Sequence, residues 1–154
     1  MIEQLLEVWE NKIKETTEIF ELLGERRAMK PVAAGKNRLI YLLGHLLVIH
    51  DGIFETLEVG KRKYTHYDDL FLTPQHPANV YPPYRLLLQQ WIALNETLIF
   101  QLRHISPDEW LSKQHYISEM DFILQPNKNK FHGFQCLIGH LFHHLGQLAL
   151  IQID

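Results

Sequence analysis

The chain has 154 residues, 46% of them apolar and 21% charged, with a formal net charge of -3 at neutral pH. Those values fit one folded globular domain over residues 1–154, and the scattered Lys and Arg give no electrostatic footprint for nucleic acid. The single cysteine, Cys136, excludes an internal disulfide framework and suits a reducing, cytoplasmic setting.

From Ile2 the apolar residues Leu5, Leu6, Trp9, Ile13, Phe20 and Leu23 alternate with Glu, Lys and Gln at helical spacing. This first helix is expected to end at Gly24 and Glu25-Arg26-Arg27. The segment 30–37 holds Pro31 and Gly35 without any period, so it reads as a connection, with Asn37 placed to cap the next helix. A second helix over about 38–59 is apolar around more than half its circumference, as a central helix would be. The inward row Leu42, His45, Ile49 puts a histidine among core positions. No apolar run reads as a membrane span, and the acidic amphipathic start does not resemble a signal peptide.

Residues 64–83 contain four prolines, two histidines and no sustained period. They form a long connection, of the kind that crosses over between bundle helices. Pro82-Pro83 pre-set a third helix, whose face runs Tyr84, Leu87, Leu88, Trp91, Leu94, Leu98, Leu102 and Ile105. Ser106-Pro107-Asp108-Glu109 is a capping box that opens a short helix. Residues 113–130 keep neither period and are expected to be irregular, with a short extended piece. From Phe131 a last helix carries Leu137, Leu141, Leu145, Leu148 and Ile151. The expected fold is all-α, a four-helix bundle with one extra short helix before the last.

Chemistry concentrates in that last helix. His140 and His144 are four residues apart, roughly 40° in phase, on a row otherwise made of Leu137, Leu148 and Ile151. Unpartnered buried imidazoles cost desolvation, and a shared metal ion removes that cost. His143 lies some 100° from His144 and is expected at the rim or in a helix contact. In the second helix His45 sits in the better inward row; His50, about 140° away, is the reserve ligand. Cys136, one turn before His140, is either a small buried hydrophobe or a fourth ligand. Leu141 stands where a His-Glu-x-x-His zinc protease carries its base, and no paired Glu-x-x-His motif supports a di-iron site. Three histidines without a fourth protein ligand leave a position for water or substrate, the pattern of catalytic metal sites. The chain offers no clear general base; Asp51 and the tyrosines of the long connection are the candidates.

With these residues in view, the chain resembles the DinB-like (DinB/YfiT-like) family of metalloenzymes over nearly its whole length. Lys30-Pro31-Val32-Ala33-Ala34-Gly35-Lys36 followed by Leu39-Ile40-Tyr41-Leu42-Leu43-Gly44-His45-Leu46 is similar to the family's entry into helix two. His144-Leu145-Gly146-Gln147 is similar to its His-Arg-Gly-Gln, with the paired histidine at His140. The resemblance implies an up-up-down-down bundle, commonly a homodimer, holding one divalent ion (nickel, zinc or iron) on His45, His140 and His144. It further implies a small-molecule substrate, since relatives include S-transferases that use low-molecular-weight thiols, a maleylpyruvate isomerase and metal-dependent hydrolases. Asn37-Arg38 replace the family's Trp-Ser, and Leu145 replaces its Arg, removing a cation near the site. Gln147, one turn on, is expected to hydrogen-bond a ligand imidazole from behind. Substrate is expected to approach from the 64–83 connection, and the chain stops soon after Gln147, so nothing beyond that helix is expected to cover the site. A non-catalytic metal- or ligand-binding bundle is the alternative reading.

Overall fold

The structure, a computed structural model, describes residues 1–73 and 80–151. It is all-α: α1 (Ile2–Arg27), α2 (Leu39–Thr56), α3 (Asp68–Phe71), α4 (Tyr84–Arg103), α5 (Pro107–Trp110), α6 (Glu119–Leu124) and α7 (Lys130–Leu148), with a 3-10 turn at Thr65–Tyr67. Among the described residues there is no strand, only two isolated bridges, Pro31 to Arg38 and Lys113 to Asn129.

The long helices take their places from their apolar stripes. α1 buries Leu6, Trp9, Ile13, Thr16, Phe20 and Leu23, and breaks at Gly24, whose φ of 61° with ψ of -175° is a combination that glycine adopts without strain. The helix ends at Arg27, within the expected 24–27 stretch, after a kink at Gly24. α1 packs on α4 and α7, and α2 packs on the same two helices from the other side. Their directions follow from paired residues. The Tyr84 hydroxyl donates to the Phe20 carbonyl, the Trp91 indole N–H to the Thr17 hydroxyl, and Arg103 pairs with Glu3 and Glu10, so α1 and α4 are antiparallel. Trp9 meets Phe134 and the Lys12 ammonium lies over Phe142, so α1 and α7 are parallel. His45 meets His140 at one end while Thr56 closes on the segment before α7, so α2 runs against α7. The order is up-down-down-up, which corrects the up-up-down-down order implied by the family resemblance.

α2 is the central helix. Over its 18 residues the mean hydropathy is 1.3, enough by length and composition to cross a membrane, contrary to the sequence reading; 72% of it is buried among the other helices, which accounts for that composition. It ends at Thr56, three residues earlier than expected. Glu58 takes a left-handed φ of 57°, and the N–H groups of Val59 and Gly60 turn back to the Phe54 carbonyl. At its start the N-cap is Arg38 with no side-chain bond, so Asn37 does not cap; its carbonyl accepts instead from the Val32 N–H.

From the end of α2 the connection runs back along that helix. Asp51, fully buried, accepts from the backbone N–H groups of Lys63 and Tyr64 and pairs with Arg62, which also grips Asp68 at the start of α3. This brings Phe71 back to Tyr41 and Gly44 near the beginning of α2, where α4 then sets off parallel to it. The expected crossover is thus present, with helical turns at 65–71; its residues 74–79 lie outside the described ones. Ser106 caps α5 by accepting from the Glu109 N–H, as the capping box predicts. The stretch 113–130 is not wholly irregular: Ser118 caps α6, which leaves Met120, Ile123 and Leu124 exposed.

Candidate metal centre

Three imidazoles meet where α2 faces α7. The His45 Nε2 stands 3.1 Å from the His140 Nε2, and the His144 Nε2 stands 3.0 Å from that same atom. His45, His140 and His144 are the group of metal-capable side chains found among the described residues, and all could hold one ion.

The outward nitrogens fix what the inward ones can do. The Phe71 carbonyl lies 2.8 Å from the His45 Nδ1, and a carbonyl only accepts, so Nδ1 carries the proton and Nε2 presents a lone pair. On His144, Nδ1 donates to the Gln147 Oε1 at 2.9 Å, which leaves its Nε2 bare as well. The Gln147 amide N–H donates in turn to the His143 Nε2. His140 cannot satisfy two facing lone pairs with one N–H, and its buried Nδ1 has no partner among the described residues. Protein atoms alone therefore leave the centre under-satisfied. A metal ion resolves it: two imidazole nitrogens on one tetrahedral ion stand roughly 3.3 Å apart and on an octahedral ion about 3 Å, which brackets both observed spacings.

Burial keeps these groups neutral, as ligation requires. It pushes His140 down to about 3, and the neighbouring His144 and His45 add to the shift. Burial likewise takes His144 down to about 4, against the bond to Gln147. It lowers His45 too, partly offset by the Phe71 carbonyl. Tyr41 stacks on the His45 ring, 5.8 Å between centroids, and helps hold its plane.

The other sequence candidates lie apart. His143 is exposed, as its helical phase predicts. His50, the reserve ligand, turns toward α1 and α4; it sits between Trp9 and Trp91, fully buried, with Nδ1 donating to the Asn95 Oδ1. Its Nε2 and the Trp9 Nε1 are both buried without a partner among the described residues. Cys136 is exposed, neither a buried hydrophobe nor part of the cluster, and its Sγ lies 3.7 Å from the His132 Nε2. Asp51 is committed to the crossover, so it is not a free base. The Phe71 carbonyl occupies the outward nitrogen of His45, and residues 74–79 of the connection from which substrate is expected lie outside the described ones. The backbone carbonyl of Phe71 is the functional group that sequence reasoning missed; no side-chain pattern announces it.

A scan against protein-family models finds no match to this chain, and a search of curated proteins finds none.

Proposed function

We propose that the protein is a metal-dependent enzyme built as a DinB-like four-helix bundle, with one divalent ion on His45, His140 and His144. The observation that carries this reading is the convergence of three Nε2 atoms, two of them fixed as lone-pair donors by outward bonds to Phe71 and Gln147. Imidazole ligands suit zinc, nickel and iron alike. When bound, such an ion lowers the pKa of a coordinated water or thiol, or polarises a carbonyl. The chain's part is to present three neutral nitrogens, hold their ring planes, and leave the remaining positions to a small-molecule substrate. Thiol transfer is the proposed reaction, with hydrolysis as its neighbour in chemistry. The packing of α1, α2, α4 and α7 around one core supports the bundle assignment. A homodimer and a cytoplasmic setting complete the proposal.

One observation favours the alternative of a non-catalytic binder: Asp51, the carboxylate that sequence put forward as a base, is occupied in the crossover. The test is elemental analysis of tag-free protein and of His140→Ala. We expect one ion per chain in the first and its loss in the second; an ion retained unchanged in His140→Ala sinks the site. Exchange of a metal-bound water, read by relaxation in the cobalt- or nickel-loaded protein, separates enzyme from structural binder.

A further inference from the structure

A cleft of about 480 Å³ lies between α2 and α7 and ends on His140. Its two long walls are helical stripes. Ile49, Ile53 and Thr56 face it from α2; His132, Gly133, Cys136, Leu137 and His140 face it from α7. From His132 to His140 the helix rises about 12 Å, which sets the length of the cleft beside α7. The end away from His140 is closed by the 112–117 segment. That segment is tied down by the His115 N–H donating to the Thr56 carbonyl and the Lys130 N–H to the Ser112 carbonyl. Gln114 lies over Gly133, where a Cβ would come within 3.0 Å of its side chain, and its amide donates to the Asn129 carbonyl.

The lining is divided by chemistry. Ile49, Ile53, Ile117 and Leu137 make an apolar middle, while Lys128, His132 and Gln114 gather at the closed end. No lining residue is acidic. The neighbouring lysines are engaged, Lys113 with Glu119 and Lys130 with Glu58 and Glu109. Lys128 is half-buried and makes no side-chain ion pair with the described residues. A lysine without an ion-pair partner among the described residues at one end, an apolar passage, and His140 at the other end describe a complementary ligand.

We propose that this cleft binds the substrate, an elongated and largely apolar molecule about 12 Å long with an anionic group such as a carboxylate at one end. The anion pairs with Lys128, and the opposite end reaches the open position beside His140. The proposal rests on the metal reading for that second contact only; the anion contact does not need a metal.

Cys136 gives a direct readout, because the chain's single cysteine lines the cleft. The probes are suberic acid monohydroxamate, which has a carboxylate at one end and a metal-binding hydroxamate at the other, and octanoate, which has the carboxylate alone. The measurement is the rate of Cys136 alkylation by iodoacetamide in zinc-loaded protein, with melting temperature and metal content followed in parallel. We expect both probes to slow alkylation, the hydroxamate at lower concentration. Lys128→Met should raise the half-protecting concentration of each by about tenfold while metal content and melting stay as in the unaltered chain. His140→Ala should abolish the hydroxamate's advantage and leave octanoate protection intact. Alkylation unaffected by either probe, or protection equal in Lys128→Met, overturns the cleft. Octanoate protection in a protein that takes up no metal supports the cleft and sinks the metal reading.

Discussion

The Phe71 ring lies on the backbone of Gly44 so closely that a Cβ there would fall 2.2 Å from it. That approach places the Phe71 carbonyl against the Nδ1 of His45, one residue along α2. The crossover and the centre are therefore one construction, joined through Asp51, Arg62 and Asp68.

Gly44→Ala should move Phe71 off α2 and release the His45 ring. Overpacking of this kind costs about 1–3 kcal/mol, and loss of a ligand's outer hydrogen bond lowers metal affinity roughly 10–100-fold. Zinc titration against a competing chelator, alongside urea unfolding, checks both. Unchanged affinity in a folded Gly44→Ala protein would detach the crossover from the centre.

Gln147 and His143 separate the ligands from their surroundings. Gln147→Ala removes the acceptor that holds the His144 proton on Nδ1, and should weaken metal binding by roughly 10–100-fold. His143→Ala takes away only the group beyond Gln147, so one ion per chain should remain. Metal lost in His143→Ala and kept in His144→Ala would reverse the assignment of this helix.

The site residues were legible because a helix has a fixed phase: 140 and 144 share a face, 143 does not, and 45 lies in an inward row. The inward row Leu42, His45, Ile49 already favours His45 over His50; what engages His50 elsewhere needed the fold. His50 is claimed by Trp9, Trp91 and Asn95, partners from α1 and α4 that spacing within α2 cannot reveal. α6 was missed for a different reason. A helix that packs on little has no buried stripe, so Met120, Ile123 and Leu124 carry no period. Its Ser118-x-x-Asp121 cap was the available signal. The early end of α2 was hidden because Glu58 adopts a backbone conformation that a reader expects of Gly60.

His50 makes the fold sensitive to acid. Burial takes it down to about 4 in the folded protein, against an ordinary 6.5 when unfolded. Its contribution is fully present above pH 6.5 and is lost as pH falls toward 4, because the unfolded chain takes the proton first. That loss is on the order of 3 kcal/mol, and below pH 4 it goes no further. His50→Phe should flatten the dependence by about 1 kcal/mol per pH step between 6 and 4, while costing about 1–3 kcal/mol throughout for the stranded Asn95 carbonyl. Urea midpoints across that range in metal-free protein decide it; an equal slope in both proteins would remove His50 as the source.

Metal removal tests the centre through stability rather than activity. Without an ion, the His45 and His144 lone pairs both face His140, which has one N–H at most to offer. An ion that binds only the folded chain stabilises it by about 2.7 kcal/mol at a hundredfold excess over its dissociation constant. For a domain of this size that should raise the melting temperature by roughly 5–10 °C. The rise should grow with the logarithm of metal concentration and vanish in His140→Ala, where two of the three imidazoles remain without the one that joins them. Chelation of the unaltered protein should reverse it. A rise that persists in His140→Ala would place the stabilising ion elsewhere, and none with zinc, nickel or iron would leave the three histidines as a polar pocket that binds nothing.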